Sequence, residues 1–429
     1  MLVDPISDLA IWEIYDLFIF NPALWISEEL REPNCMFEIA IDFFLHMDHG
    51  DSLPSFVSPV GLLWNDLKLF FKIWKTIPGI ILPLHPARSG ELDELSLTLG
   101  NIGDLIFHAI LIVCQLGFLL LIPLSIFLPF NIFLTFFIGF LVVNYFVCLP
   151  FNGKEGAIYR ARPKNGIPIA GRGEKWIFIN GVSVGHRWLQ NNLQLLANTF
   201  RREIVGVHNP TSGIIFDLIQ CLIERDFQYN TRDVRQAYAM VKDELTRTTN
   251  PNDKVILIVH SQGGIEGGMV IDWLLADVSE DNMSKLEVYT FGNAANHFNN
   301  PIRSGSTDKT NPETYRAIRH IEHYANHGDF VARFGVLNYA KKAPGQKENR
   351  FVGRVFERQG SGHMFCQHYL DTMFTMDGDK VAEGNPFMDS PLEVDMDNTE
   401  TIFAQKAHKR TIKSMSRLWE YRNGGKPST

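Results

Sequence analysis

The run VILIVHSQGGIEGG carries an apolar strand pattern directly into His260-Ser261-Gln262-Gly263-Gly264, and a helical pattern follows at once. A serine at such a junction can be held in a strained turn above the edge of a sheet, with its hydroxyl presented as a nucleophile. The turn is crowded, so small residues are wanted two positions to either side. Gly263 meets that need on one side, whereas the β-branched Val259 stands on the other. Serine at its free pKa attacks poorly. An imidazole must take its proton, and a carboxylate must hold that imidazole in the useful tautomer. Both types follow in chain order, with Asp329 in HYANHGDFVARFGVL and His363 in RFVGRVFERQGSGHMFCQHYL. The plainer reading of Ser261 is a helix cap after a core strand.

Each assignment has a rival. Asp329 is also suited to capping a turn, and Glu322 and Asp217 are further acids. His368 lies five residues beyond His363. His363 is the preferred base because it falls in a Gly-rich loop directly after an expected strand, while His368 is followed by Tyr369 and Leu370 in an expected helix. His260 is expected to pack or hydrogen-bond within the turn, and His208 and His327 read as polar loop residues. The segment GGIEGG lacks the Lys-Ser/Thr pair of a phosphate-binding loop, so its small residues are expected to let a helix approach the sheet closely.

The elements that would position these groups are short apolar runs: WIFIN (176–180), EIVGVH (203–208), VILIVH (255–260), LEVYTFG (286–292), RHIEHYA (319–325) and RFVGRVFE (350–357). Helical patterns at 186–200, 231–246 and 262–275 separate several of them. Apolar strands alternating with helices predict an α/β architecture, a mostly parallel sheet covered by helices on both faces. Over about residues 174–375 the chain resembles the lipase and esterase branch of the α/β-hydrolase superfamily. The resemblance rests on WIFINGVSVGHRWL as strand, small-residue turn and helix, on the HSQGG junction, and on the order Ser, Asp, His. It implies the α/β-hydrolase fold and a Ser261-His363-Asp329 triad. It also implies an oxyanion hole from the backbone N–H groups of Gln262 and Val182, Gly263 at the elbow, and no metal or cofactor. Val259 departs from the family pattern G-x-S-x-G.

Residues 105–153 form a stretch of 49 without one Asp, Glu, Lys or Arg, and ten of them are Phe. A hydrocarbon layer about 30 Å thick takes roughly 20 apolar residues per helix, so the stretch can supply two helices, broken near Pro123 and Pro129 into spans or a re-entrant hairpin. The N-terminal sequence has no basic region ahead of its apolar residues and does not read as a cleaved signal. Residues 62–77 place Lys68, Lys72 and Lys75 at helical spacing among Trp64, Phe70, Phe71, Ile73 and Trp74, which suits equally a helix in the headgroup layer and an amphipathic helix packed on the domain that follows. The expected organisation is an interfacial region at 1–100, a hairpin at 101–153, a catalytic domain at 154–375, and an acidic linker with a basic helix over 401–422 at 376–429.

A formal charge of -8, from 40 Lys+Arg against 48 Asp+Glu, provides no global field for a phosphate backbone, so nucleic acid is not an expected partner. Five cysteines, at 35, 114, 148, 221 and 366, form no CxxC pair and read as reduced thiols. These features together predict a membrane-anchored serine hydrolase cleaving an ester of a lipid or another apolar acyl compound. The same triad would serve an acyltransferase or cyclase, and a noncatalytic membrane scaffold with the same fold is the alternative from another class. The basic flank of Lys154, Arg160, Arg162, Lys164, Arg172 and Lys175 predicts a cytosolic catalytic domain. The sequon Asn282-Met283-Ser284 is therefore expected to stay unglycosylated in eukaryotic cells, and a glycosidase-sensitive mobility shift lost in Asn282→Gln would overturn that sidedness.

Overall fold

The computed structural model describes residues 58–427 other than 86–87, 155–157, 165, 248–249, 251, 304–315, 341–350 and 392–410. The expectations for residues 1–57, including the reading of the N-terminal sequence and of Cys35, lie outside the described part. From Ser58 onward the chain packs as one compact unit.

Helix α1 (Pro59–Ile73) starts where the Ser58 hydroxyl accepts from Gly61 N and a proline fills the first turn. It runs into a 3-10 segment at Trp74–Ile80. Helix α2 (Leu99–Ser125), capped by Thr98, and helix α3 (Phe130–Asn152) form an apolar hairpin, and each is long and apolar enough to cross a membrane. Pro123 does not end α2, which continues to Ser125; the break falls at 126–129.

After the hairpin come β1 (Tyr159–Ala161), β2 (Glu174–Ile179), α4 (His186–Phe200), β3 (Ile204–Val207), α5 (Ile214–Phe227), α6 (Arg232–Arg247), β4 (Lys254–His260), α7 (Gly263–Asp277), β5 (Leu286–Phe291), β6 (His320–Asn326), α8 (Phe330–Phe334) and β7 (Arg354–Arg358). The seven strands make one sheet in the order β1-β3-β2-β4-β5-β6-β7. All neighbours are parallel except β1, which runs antiparallel to β3. The α/β class expected from the sequence is what the chain forms. Alternation along the strands divides the core. Trp176 and Phe178 of β2, with Ile256 and Ile258 of β4, face α4 and the C-terminal segment. Ile177, Ile179, Val255, Leu257 and Val259 face α6 and α7.

Two elements differ from expectation. The last strand begins at Arg354, after Gly353 at φ +138°, not at 350. A continuous helix over 401–422 does not form. Residues 401–410 lie outside the described part, and beyond them there is only a 3-10 turn at Ile412–Ser414 and the one-turn helix α9 (Arg417–Glu420). Tertiary bonds explain the bend. The N–H groups of Arg417 and Leu418 donate to buried Glu322 at 2.8 and 3.2 Å, and the Arg417 guanidinium meets Glu287 at 3.1 Å. Leu418, Trp419 and Tyr421 are thereby drawn into the core, so this basic segment is part of the domain and not an appended helix.

The bulk of Val259 is absorbed by α7. An ideal Cβ at Gly267 would lie 3.0 Å from Val259 Cγ1, which leaves the valine side chain the space that a larger helix residue would occupy. Gly267→Ala should therefore destabilise the fold by about 1–3 kcal/mol through overpacking. The double variant Val259→Ala, Gly267→Ala should recover part of that loss in thermal melts, and strict additivity would refute the contact.

Candidate active site

Ser261 adopts φ +59°, the left-handed conformation that a non-glycine residue enters only at a cost, immediately after β4 and before α7. Three bonds hold the turn: Ser261 N donates to Phe291 O, and Ser261 O accepts from Gly264 N and Ala294 N, all at 3.0–3.1 Å. Two glycines give it room. An ideal Cβ at Gly263 would stand 2.6 Å from Ile179 O, and one at Gly181 would stand 2.5 Å from Ser261 Cβ and 3.0 Å from its Oγ. The expected close approach of the GGIEGG helix to the sheet is thus present at Gly263.

The candidate acid and base meet after β6 and β7. His363 Nδ1 donates to Asp329 Oδ2 at 2.8 Å, and the Tyr369 hydroxyl donates to the same oxygen at 2.7 Å. Asp329 Oδ1 accepts from Val331 N at 2.8 Å, so this residue both caps α8 and faces the imidazole. Gly292, at φ +51° directly after β5, leaves the gap in which the pair sits, since a Cβ there would be 2.8 Å from both Asp329 Oδ2 and His363 Nδ1. His363 Nε2 is buried and has no hydrogen-bond partner, Ser261 Oγ included. In unliganded active sites the nucleophile–base contact is often looser than a formed bond.

The rivals are engaged elsewhere. His368 Nδ1 accepts from Met364 N at 2.9 Å and its Nε2 donates to Pro83 O at 2.8 Å, which occupies both ring nitrogens. His260 Nε2 donates to His363 O at 2.8 Å and its ring stacks on that of His363 with centroids 4.6 Å apart. Burial and the neighbouring His363 hold His260 well below the usual imidazole pKa, so it is neutral. Glu322 secures the C-terminal segment instead of a histidine. Asp217 accepts from Ser183 N, Ser212 N and the Thr211 hydroxyl at 2.9, 2.7 and 2.5 Å, and burial raises its carboxyl to about 6.

The loop after β2 brings Gly181 against Ser261, and Val182 is the next residue. The N–H groups of Val182 and Gln262 have no hydrogen-bond acceptor among the described residues, and Gln262 stands at the N-terminus of α7. Ser183, at φ +59°, shapes this loop; its N–H goes to Asp217, and its carbonyl accepts from His108 Nε2 of α2 at 3.0 Å. His108 and Tyr369 are the supporting residues that sequence reasoning missed. A lone histidine in an apolar run and a tyrosine in a helical pattern give no signal of the distant groups they bind.

Behind the loop after β2 lies a buried polar network. Gln262 Nε2 donates to Glu224 Oε2 at 2.8 Å, while Asn209 Nδ2 donates to Gln262 Oε1 and Glu266 Oε1 at 2.8 and 2.7 Å. Among the described residues no group of three or more His, Cys, Asp or Glu is arranged to hold a metal ion. The chain matches no protein-family model and no curated protein.

Burial, with the Asp233 charge nearby, pushes the Glu224 carboxyl up to about 8. Its folded value lies above the ordinary carboxylate value of about 4.3, so its contribution to stability is fully present below about pH 4.3 and is lost as pH rises towards 8. The melting temperature should fall across that window. Glu224→Gln, which stays neutral, should flatten the slope, and an unchanged slope would refute the assignment.

Proposed function

We propose that this protein is a membrane-anchored serine hydrolase of the α/β-hydrolase, lipase or esterase type, acting on an ester of a lipid or another apolar acyl compound. The observation that carries the reading is the strained Ser261 turn at the end of a central strand, beside a buried His363–Asp329 pair whose second ring nitrogen is unpartnered. A serine that merely capped a helix would not require φ +59° or a glycine pressed against its hydroxyl.

In this reading His363 Nε2 takes the proton of Ser261 Oγ as the oxygen attacks the ester carbonyl. Asp329 holds the Nδ1–H tautomer and stabilises the imidazolium. The free N–H groups of Val182 and Gln262 receive the developing oxyanion, and the positive end of α7 adds to its stabilisation. The protonated His363 then gives its proton to the leaving alkoxide, and water resolves the acyl-enzyme by the reverse sequence.

The apolar substrate class is supported by what borders His363. The N–H groups of Gly362 and His363 donate to Gly79 O and Ile80 O at 3.0 and 3.1 Å. That segment carries Ile77, Ile81, Leu82 and Leu84, all exposed to solvent. An exposed apolar strip bonded to the loop of the base suits a substrate that partitions into lipid.

Ser261→Ala should abolish both labelling by a fluorophosphonate and turnover of a long-chain ester, with losses for triad members reaching about 10⁶-fold. His363→Ala should match it, whereas His368→Ala should retain catalysis and lower the melting temperature. Fluorophosphonate labelling that survives in Ser261→Ala would overturn the reading.

A further inference from the structure

We propose that the α2–α3 hairpin enters a single leaflet of a phospholipid bilayer and does not cross it, so that the segments on both sides of the hairpin lie at the same membrane face. The inference rests on the membrane part of the reading above and is independent of catalysis.

The argument starts from which side of α2 is occupied. Its buried positions are Asn101, Asp104, His108, Leu111, Gln115 and Phe118, one helical stripe followed only by Ser125. The stripe is bonded to the soluble domain along its length. Asn101 Oδ1 accepts from Trp188 Nε1 at 3.0 Å, Asp104 pairs with Arg187 at 3.5 Å, and His108 Nε2 donates to Ser183 O. Gln115 Nε2 donates to Ser212 O at 2.6 Å and to Asn144 Oδ1 of α3 at 2.9 Å, and Asn144 Nδ2 reaches the same Ser212 carbonyl at 2.9 Å. Phe118, Leu141 and Phe216 of α5 close the series as one apolar cluster.

A helix crossing a hydrocarbon core of about 30 Å commits roughly 20 residues to it. Any window of that length within Leu99–Ser125 contains both His108 and Gln115. A full crossing would therefore carry Ser183, Ser212 and the buried Asp217 carboxyl bonded to them into the hydrocarbon, where such groups are expensive. The part of the hairpin beyond the domain has a different length. From Phe118 and Leu141 to the tip runs only residues 119–140, at most eleven residues per arm, or about 15 Å at the 1.5 Å helical rise. That is half of the hydrocarbon thickness.

The surface around the base of the hairpin fits the headgroup layer of the same leaflet. Helix α5 is bonded to the hairpin through Ile215 N and Gln115 Oε1, and to α1 through the Arg225–Asp66 ion pair at 2.9 Å. Helix α1 and the 3-10 segment after it expose Trp64, Phe71 and Trp74 together with Lys68, Lys72 and Lys75. Aromatic and lysine side chains exposed together match the boundary between acyl chains and anionic headgroups.

The test uses the full chain with Leu128→Cys at the hairpin tip, in sealed vesicles of phosphatidylcholine and phosphatidylserine. A membrane-impermeant polyethylene-glycol maleimide is supplied on both faces, with the parent chain as background and Asp379→Cys as an exposed control. A single-leaflet hairpin keeps the thiol introduced by Leu128→Cys unmodified until detergent is added, while the control reacts throughout. Modification of that tip thiol without detergent, as a short loop on the far face would give, overturns the proposal. Phe127→Cys supplies the same readout should Leu128→Cys not accumulate. Release of the parent chain by alkaline carbonate would instead overturn membrane anchoring itself, with Ser261 labelling left as a separate question.

Discussion

The left-handed turn at Ser261 is the constraint on which the rest of the site depends. Holding a serine at φ +59° is unfavourable by itself, so the surrounding structure must impose it. It does so from three sides. β4 enters from the middle of a parallel sheet, α7 leaves at once, and the loop after β5 takes the Ser261 carbonyl through Ala294 N. This convergence is possible only where side chains are missing. Gly181 and Gly263 let the β2 loop and the first turn of α7 close on the serine, and Gly292 opens the gap for Asp329 and His363. Val259 is not small, but Gly267 receives its methyls one helical turn further on. The steric requirement of the turn is met from the helix and not from the position two residues before the serine.

The site is buttressed by segments that are remote in the chain. His108 of the apolar hairpin holds the carbonyl of Ser183, and Asp217 at the start of α5 holds its N–H, so the loop bearing Val182 is fixed from both sides. Glu94 accepts from Cys366 N and Gln367 N at 2.9 and 3.1 Å, and the backbone at Gly79 and Ile80 accepts from Gly362 and His363. Residues before the sheet therefore position both the loop bearing Val182 and the loop bearing His363. A change in how the hairpin or the 79–94 segment sits would reach the candidate machinery through hydrogen bonds of ordinary length.

The sequence by itself determined the elements whose cause is local. Short apolar runs produced β2 to β6 within a residue or two of the expected bounds, the periodicity of 186–200 produced α4, and the strand–HSQGG–helix junction placed Ser261 at a turn. The absence of charge over 105–153, with its density of large apolar residues, likewise pointed to two long apolar helices. Tertiary structure decided what depends on partners far along the chain. It paired His363 with Asp329 and engaged both nitrogens of His368 with backbone groups, which gives the preference for the loop histidine partners that the local pattern could not name. It bent the basic C-terminal segment into the core, since Glu322 and Glu287 are buried acceptors on neighbouring strands that take the Arg417 and Leu418 N–H groups and the Arg417 guanidinium in addition to Tyr324, Tyr289 and Lys254. It also turned the polar residues of α2 towards the domain. Asn101, Asp104, His108 and Gln115 lie three, four and seven residues apart, but that spacing acquires meaning only once Trp188, Arg187, Ser183 and Ser212 are brought against it.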